Sequence, residues 1–169
     1  MIDGRVGYAC APPGAYADLS VMKTDFLMHA SDFLSDETFA ASRLKGTTAC
    51  YLLHDVYQVK AGDVVLTHAA AGGVGILLVQ WGKALGPTVI GTYEIGKLAS
   101  KSVTLSRPNY GHYTATRDNV FHHANHFLSV VKNGVVIVDP PRIFVLSDAA
   151  AAHQAIEARS GIGPIILRT

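Results

Sequence analysis

A glycine-rich segment at residues 70–75 constrains the fold of this chain more than any other feature. Residues 64–67 ahead of it have the composition of a buried strand, and residues 76–85 behind it carry apolar side chains at helical spacing. Gly86 is typical of a helix stop, and residues 88–92 have the composition of a second strand. Strand, glycine turn, helix and strand in this order predict a βαβ unit.

The segment fits the pattern A-x-G-x-x-G, a variant of the dinucleotide-binding fingerprint. Gly72 leaves the backbone open to a pyrophosphate, and Gly75 allows close packing of helix against strand. The free N–H groups at the start of the helix, together with its dipole, attract phosphate. The alternative is a tight turn in an α/β protein that binds no nucleotide. Because glycines among small residues are costly in conformational entropy, the pattern favours a binding site.

Residues after the second strand should select the cofactor. An acid there binds a ribose 2′-hydroxyl, whereas a basic group accepts a 2′-phosphate. Glu94 lies 19 residues after Gly75, at the position of an NAD-selecting acid, and Lys97 lies three residues further on. These two side chains indicate opposite cofactors, and their spacing leaves the choice open.

The rest of the chain alternates short strand-like and helical segments, without an internal repeat. The sequence predicts strands at 6–9, 15–17, 103–105, 135–138, 143–146 and 165–167, and helices at 36–44, 47–56, 117–131 and 148–159.

Charge and composition exclude several classes of partner. Lysine and arginine total 14 and aspartate and glutamate total 13, without a block of like charge, so neither nucleic acid nor an anionic membrane is predicted. The longest apolar run, 69–79, contains glycines and is shorter than the ~20 residues that a membrane-spanning helix needs. Cys10 and Cys50 form no C-x-x-C motif, which fits a reducing compartment. We therefore predict a cytoplasmic protein.

Four segments in a fixed order carry a family resemblance. They are H-A-A-A-G-G-V-G at 68–75 with Q-W-G-K-A-L-G at 80–86, K-G-T-T-A at 45–49 with Y-L-L at 51–53, S-R-P at 106–108 with Y-T-A-T-R at 113–117, and the 148–159 segment with its His153, Glu157 and Arg159. Together they resemble the zinc-free, NADPH-dependent quinone oxidoreductases, the zeta-crystallin-like family of the medium-chain dehydrogenase/reductase superfamily.

The resemblance implies an α/β fold. Residues 36–134 would form a partial Rossmann-type dinucleotide-binding domain, and residues 1–35 and 135–169 would be remnants of a GroES-like β domain. It also implies that NADPH passes a hydride to a quinone, an enone or a similar activated carbonyl, and that no metal takes part. A catalytically inactive NADPH-binding module, or a truncated structural partner of a full-length relative, is the alternative function.

The family's cofactor contacts carry over by position. Thr48 would contact the nicotinamide ribose, Lys97 the 2′-phosphate, and Arg159 a further part of the cofactor. The remaining contacts would be Ala71, Gly72, Gly73 and Val74 at the pyrophosphate, and Val103, Thr104 and Leu105 near the nicotinamide. Lys97 is one residue closer to the second strand than in the family, and Glu94 should repel a phosphate. No catalytic side chain is assigned, because in such enzymes the cofactor carries the chemistry.

Two departures from the family affect stability. The family has a portion ahead of Met1, and between Leu98 and Ser102 it continues the Rossmann fold with further strands and helices. About half of a cofactor domain would remain here, with sheet edges and apolar faces exposed. With a mean hydropathy of +0.25, the sequence predicts weak stability as a monomer, an irregular fold, or a homo-oligomer.

Two groups of side chains invite functional interpretations that the sequence does not favour. His122 and His126 share a helix face next to His123 and resemble a metal site, but an ordinary surface helix is the preferred interpretation. Tyr110 and Tyr113 flank a Gly-His loop, where packing is preferred to pocket lining.

Overall fold

The structure is a computed structural model that describes residues 4–8, 14–92, 108–158 and 163–169. Within them the elements, in chain order, are β1 (Val6–Tyr8), β2 (Leu27–His29), α1 (Asp36–Tyr51), β3 (Val64–His68), α2 (Gly73–Leu85), β4 (Thr88–Thr92), α3 (Tyr110–Tyr113), α4 (Arg117–Lys132), β5 (Arg142–Val145), α5 (Ala149–Glu157) and β6 (Ile165–Arg168). A π-helical turn, Leu52–Val56, follows α1 directly, and short 3-10 turns cover Thr24–Phe26 and Leu146–Asp148. The expected strand at 103–105 lies outside the described residues.

Contacts divide the chain into two units. The first comprises Met1–Leu44 and Val138–Thr169, and the second comprises Lys45–Ile137.

The second unit contains the βαβ arrangement that the sequence predicted. β3 and β4 pair in parallel, with Val64 opposite Thr88 and His68 opposite Thr92, and α2 connects them. The helix ends where expected, since Gly86 adopts the left-handed φ of +92° that glycine tolerates best. α2 begins at Gly73, three residues earlier than the apolar spacing indicated.

The core of the second unit forms where α1, α2 and α4 contribute large side chains. Trp81 of α2 and Phe127 of α4 are at most 2% exposed, and Cys50 of α1 is fully buried. Burial of each aromatic ring removes on the order of 150–250 Å² from water, which makes these residues the main apolar contribution to this unit.

α1 corrects the prediction of two separate helices at 36–44 and 47–56. It runs unbroken from Asp36 to Tyr51, so Gly46 does not interrupt it. A Cβ at Gly46 would overlap the ring of Phe127, and the glycine therefore permits close approach of α4. At the start of α1 the Ser35 hydroxyl accepts a hydrogen bond from the Thr38 N–H at 3.2 Å, as the partial capping box indicated.

Two of the predicted strands are wrong. Neither residues 15–17 nor residues 135–138 form a strand. In the 135–138 segment the Gln80 side chain makes the backbone hydrogen bonds that a neighbouring strand would make to Ile137. Its amide donates to the Ile137 carbonyl at 3.1 Å and accepts from the Ile137 N–H at 2.8 Å.

The first unit contains two small sheets. β1 pairs antiparallel with β2, and β5 pairs in parallel with β6. Arg43 is 4% exposed, and its guanidinium donates to Met28 Sδ at 2.9 Å and to the Tyr8 carbonyl. A buried cation held by such contacts fixes the position of α1 against β1 and β2 within this unit.

No helix among the described residues is long and apolar enough to cross a membrane.

Candidate functional site

The turn between β3 and α2 leaves the start of the helix open. Gly72 is the N-cap residue, with φ −77° and ψ 165°, and no side chain of the described residues caps this end. The first helical hydrogen bond runs from the Ile76 N–H to the Gly72 carbonyl at 2.9 Å. The N–H groups of Gly73, Val74 and Gly75 precede it and have no partner within the helix. Three donors and the positive end of the helix dipole therefore lie at one point.

Gly72 and Gly75 differ in how strongly the packing of this turn requires a glycine. A Cβ at Gly75 would overlap the Ala69 carbonyl oxygen, so packing of helix against turn requires glycine there. At Gly72 the backbone angles suit any residue, but an added Cβ would lie 3.1 Å from the same oxygen, so the turn would have to shift by a few tenths of an ångström. The folded chain therefore demands glycine strictly at 75 and less strictly at 72. The absence of a side chain at 72 also leaves the helix start open to a ligand.

Ala69 adds local strain to the turn. Its φ of +53° lies in the left-handed region that L-residues with a Cβ rarely adopt. Its carbonyl accepts the Gly72 N–H at 2.8 Å, which closes the turn. A cost of about 1–2 kcal/mol for such a residue is typical of turns that must present their backbone in one geometry.

Lys45 of α1 places a cation beside this turn. Its Cε lies 2.9 Å, and its Nζ 3.3 Å, from the position that a Cβ at Gly73 would occupy. Burial lowers the pKa of Lys45 from its usual 10.5, because desolvation disfavours the ammonium form. An anion at the helix start would supply a counter-charge, since no ion pair of Lys45 is found among the described residues.

Thr48, expected to contact the nicotinamide ribose, lies three residues after Lys45 on α1 and therefore one turn along the same side of the helix. Its side chain hydrogen-bonds with Tyr51, whose pKa is nonetheless raised, by burial first and by Tyr113 second. Tyr51 stacks on Tyr113 with ring centroids 4.7 Å apart, and it meets Tyr110 edge-on at 6.1 Å. The two tyrosines after residue 108 thus pack on α1, which is the preferred interpretation of the sequence.

The structure brings one group of the expected cofactor contacts together and leaves another undescribed. Ala71, Gly72, Gly73 and Val74 form the turn and the first residues of α2. The remaining contacts, Lys97, Val103, Thr104, Leu105 and Arg159, lie outside the described residues, as does Glu94. Sequence reasoning did not assign Lys45 to the site. Its place in the K-G-T-T-A segment was the signal that could have found it, but the contact with Gly73 spans 28 residues.

No protein-family model matches the chain, but individual proteins of known sequence do. It is 41% identical over 119 residues to a quinone oxidoreductase of Pseudomonas aeruginosa, an alignment that covers 69% of this chain and 37% of that protein. It is 28% identical over 239 residues to a 2-haloacrylate reductase of a Burkholderia species, with 94% of this chain and 72% of that protein covered. That alignment is longer than this chain because the relative has residues without a counterpart here.

Two solved structures match the whole chain with a TM-score of 0.86 each. One is a quinone oxidoreductase of Pseudomonas syringae pv. tomato, at 28% identity, and the other is the Escherichia coli quinone oxidoreductase complexed with NADPH, at 25% identity. This chain covers 76% of each.

The parallel βαβ unit with an open, glycine-lined helix start defines a Rossmann-type α/β protein. The matches confirm the predicted fold class and specify it further. The chain belongs to the quinone oxidoreductase family of the medium-chain dehydrogenase/reductase fold. It spans little more than a third of the P. aeruginosa relative, at 37% of that protein's length.

Proposed function

We propose that this chain binds NADPH at the start of α2 and passes its hydride to a quinone or a related activated alkene or carbonyl. The observation that carries the proposal is Gly72, the N-cap of α2, where the backbone angles do not require glycine. Its lack of a side chain opens the helix start to a ligand. The first N–H groups of α2 make that ligand an anion, and a dinucleotide pyrophosphate has the matching charge.

Lys45 supports the same ligand independently. Its ammonium group lies against Gly73 and is partly desolvated. A charge-assisted hydrogen bond from Lys45 to a phosphate oxygen would offset that desolvation, since such bonds are about twice as strong as neutral ones. Thr48, one helical turn further, would then face the adjoining ribose.

NADPH is favoured as the cofactor because the solved E. coli relative is a complex with NADPH. The acceptor is proposed from two kinds of relative, the quinone oxidoreductases and the 2-haloacrylate reductase. Quinones and haloacrylates share an electron-poor double bond conjugated to a carbonyl or carboxylate group, and we propose that the acceptor has this chemistry.

The residues of this chain would bind and orient the cofactor without reacting themselves. NADPH supplies the hydride when it is bound. The start of α2 holds the pyrophosphate, Lys45 neutralises one phosphate oxygen, and Thr48 orients the ribose. Lys97 would take the 2′-phosphate, Arg159 a further contact, and Val103, Thr104 and Leu105 the nicotinamide end. No metal is part of the proposed reaction.

One observation favours a second candidate, a module that binds NADPH but does not turn over. The sequence alignments cover only 27% to 37% of four curated quinone oxidoreductase relatives, although the structural matches span 76% of two solved ones. An acceptor pocket built partly from the uncovered segments would be incomplete in this chain. Binding without turnover is the result that this candidate predicts.

Steady-state NADPH oxidation separates the candidates. The purified chain is assayed with NADPH and 1,4-benzoquinone, and in parallel with 2-chloroacrylate. Acceptor-dependent oxidation that disappears in Gly72→Val establishes the enzyme. Saturable NADPH binding without oxidation of either acceptor replaces it with the binding module. If the folded chain neither binds nor oxidises NADPH, both candidates are rejected.

A further inference from the structure

Cys50, His54 and His126 converge in the second unit. Cys50 lies near the end of α1, His54 in the π-helical turn that follows, and His126 in α4. One ligand atom from each, a thiol sulfur and two imidazole nitrogens, lies within 4.8 Å of the others. The sequence paired His126 with His122, whereas the structure groups it with two residues more than 70 positions earlier.

The spacing of these atoms suits a tetrahedral metal ion. Zinc bonds of about 2.3 Å to sulfur and about 2.05 Å to nitrogen place a sulfur and a nitrogen ligand about 3.6 Å apart, and two nitrogens about 3.3 Å apart. Cys50 Sγ and His126 Nδ1 are already 3.5 Å apart. The His54 nitrogen would need to move by at most about 1.5 Å to complete the set, which a side-chain rotation supplies.

The π-helical turn has a direct effect on this geometry. Leu52–Val56 breaks the regular spacing of α1 at the residue group that contains His54. Such turns are rare and are frequently found at functional sites. Here the turn brings the His54 ring to 4.6 Å from the His126 ring, in a stacked arrangement.

The surroundings leave this group incompletely satisfied. His54 Nε2 is buried without a hydrogen-bond partner among the described residues. Cys50 is fully buried, while His54 and His126 are partly exposed and would give an ion access. The indole of Trp81 meets the rings of His54 and His126 edge-on, at 5.2 and 5.0 Å, and forms an apolar wall.

We propose that Cys50, His54 and His126 bind one Zn²⁺, with water as the fourth ligand. A thiolate with two imidazoles is a ligand set that zinc favours, whereas Mg²⁺ and Ca²⁺ require oxygen ligands. The ion would tie the end of α1 to α4 within the second unit, across 76 residues of chain between Cys50 and His126. The role is structural, and it is independent of NADPH binding at the glycine turn.

Cobalt is the probe, because Co²⁺ takes the same tetrahedral sites and reports thiolate ligation by absorption. The chain is purified in EDTA in a Cys10→Ser background, so that Cys50 is its one remaining cysteine. Titration with Co²⁺ should give one equivalent of a thiolate charge-transfer band, and Zn²⁺ should displace it and raise the melting temperature. Cys50→Ser should abolish the band, and His126→Gln should weaken Zn²⁺ binding by at least about 100-fold, more than outer-shell substitutions do.

The controls are His112→Gln and His122→Gln, at two exposed histidines outside the group. Both should bind zinc within about twofold of the parent. Circular dichroism of the Cys50→Ser and His126→Gln variants in EDTA shows whether each is folded, and Cys50→Ala replaces the first if it is not. Absence of the charge-transfer band in the folded parent, or zinc affinity unchanged by loss of Cys50 or His126, would overturn the proposal. Binding lost through His122→Gln alone would reassign the metal to a surface histidine pair and also overturn it.

Discussion

The Lys45 side chain fills the space that a side chain at Gly73 would need. Its Nζ lies 3.3 Å from the position of the missing Cβ, at the start of α2. α1 and the glycine turn therefore place a cation and a helix dipole at the same point. Neither residue is near the other in sequence, and their contact joins the two segments that carry most of the family resemblance.

Lys45→Met should weaken NADPH binding by roughly tenfold or more. The substitution keeps the apolar stem but removes a hydrogen bond to a charged group, which contributes about 1.5–3 kcal/mol. Fluorescence titration measures the dissociation constant. Lys83→Met is the matched control, because Lys83 is exposed in the last turn of α2, at the opposite end of that helix from the proposed cofactor site. Equal affinities for the two variants would remove Lys45 from the site.

Gly46→Ala should destabilise the chain, although alanine is favoured over glycine within helices by about 1 kcal/mol. The new Cβ would overlap the buried Phe127 ring, and overpacking of this kind costs about 1–3 kcal/mol. Urea denaturation measures the free energy of unfolding. Phe127→Leu should relieve part of the conflict, so the double variant should lose less stability than the two single losses added together. Strict additivity would show that the two residues do not contact.

The free energy of unfolding should fall as the pH decreases below about 6.5 in metal-free protein. Burial lowers the pKa of His123, against the opposing effect of Asp55 3.2 Å away, and burial also lowers the pKa values of His54 and His126. As the pH falls, the unfolded chain therefore takes up protons on these histidines before the folded chain does. The unfolded state then binds more protons, which favours unfolding.

Urea melts at about pH 7.5 and about pH 5.5 in EDTA test this, above the range where ordinary carboxylates titrate. His123→Gln should be less stable than the parent at the higher pH but should lose less on acidification. Stability that is constant or rises between these pH values would contradict the assignment of buried neutral histidines.

The βαβ unit should make stability depend on protein concentration. β3 and β4 are the only strands of their sheet among the described residues, and Val64 and Ile90 on them are 70% and 48% exposed. Two strands with open edges and exposed apolar side chains favour association. Sedimentation velocity and melts over a hundredfold concentration range should show an oligomer and a rising melting temperature. A monomer with a constant, high melting temperature would contradict this.

Local sequence signals predicted the glycine turn and its flanking elements because short-range chemistry determines them. Gly86 ends α2 through its own left-handed backbone, and Ser35 caps α1 through a bond to a residue three positions away. The sequence predicted two helices, 36–44 and 47–56, where one helix crosses Gly46. The side chain that this glycine packs against, Phe127, is 81 positions away in the chain.

The candidate functional residues were likewise predicted only where they are neighbours in the sequence. Ala71, Gly72, Gly73 and Val74 were identified from one contiguous motif. Lys45 and the Cys50, His54 and His126 group depend on contacts between helices, which periodicity does not reveal. The strand expected at 135–138 failed for a related reason, because a single side chain, Gln80, satisfies the backbone there.

Fluorescence titration with NADPH measures whether the start of α2 holds the cofactor, with NADH run beside it and Gly72→Val as the variant. Gly72 has backbone angles that valine adopts readily, so the variant should fold, as circular dichroism and its melting temperature would show. We expect saturable NADPH binding by the parent chain and its loss in folded Gly72→Val. Absence of binding by the folded parent, or equal affinity of parent and variant, would contradict a cofactor site at the start of α2.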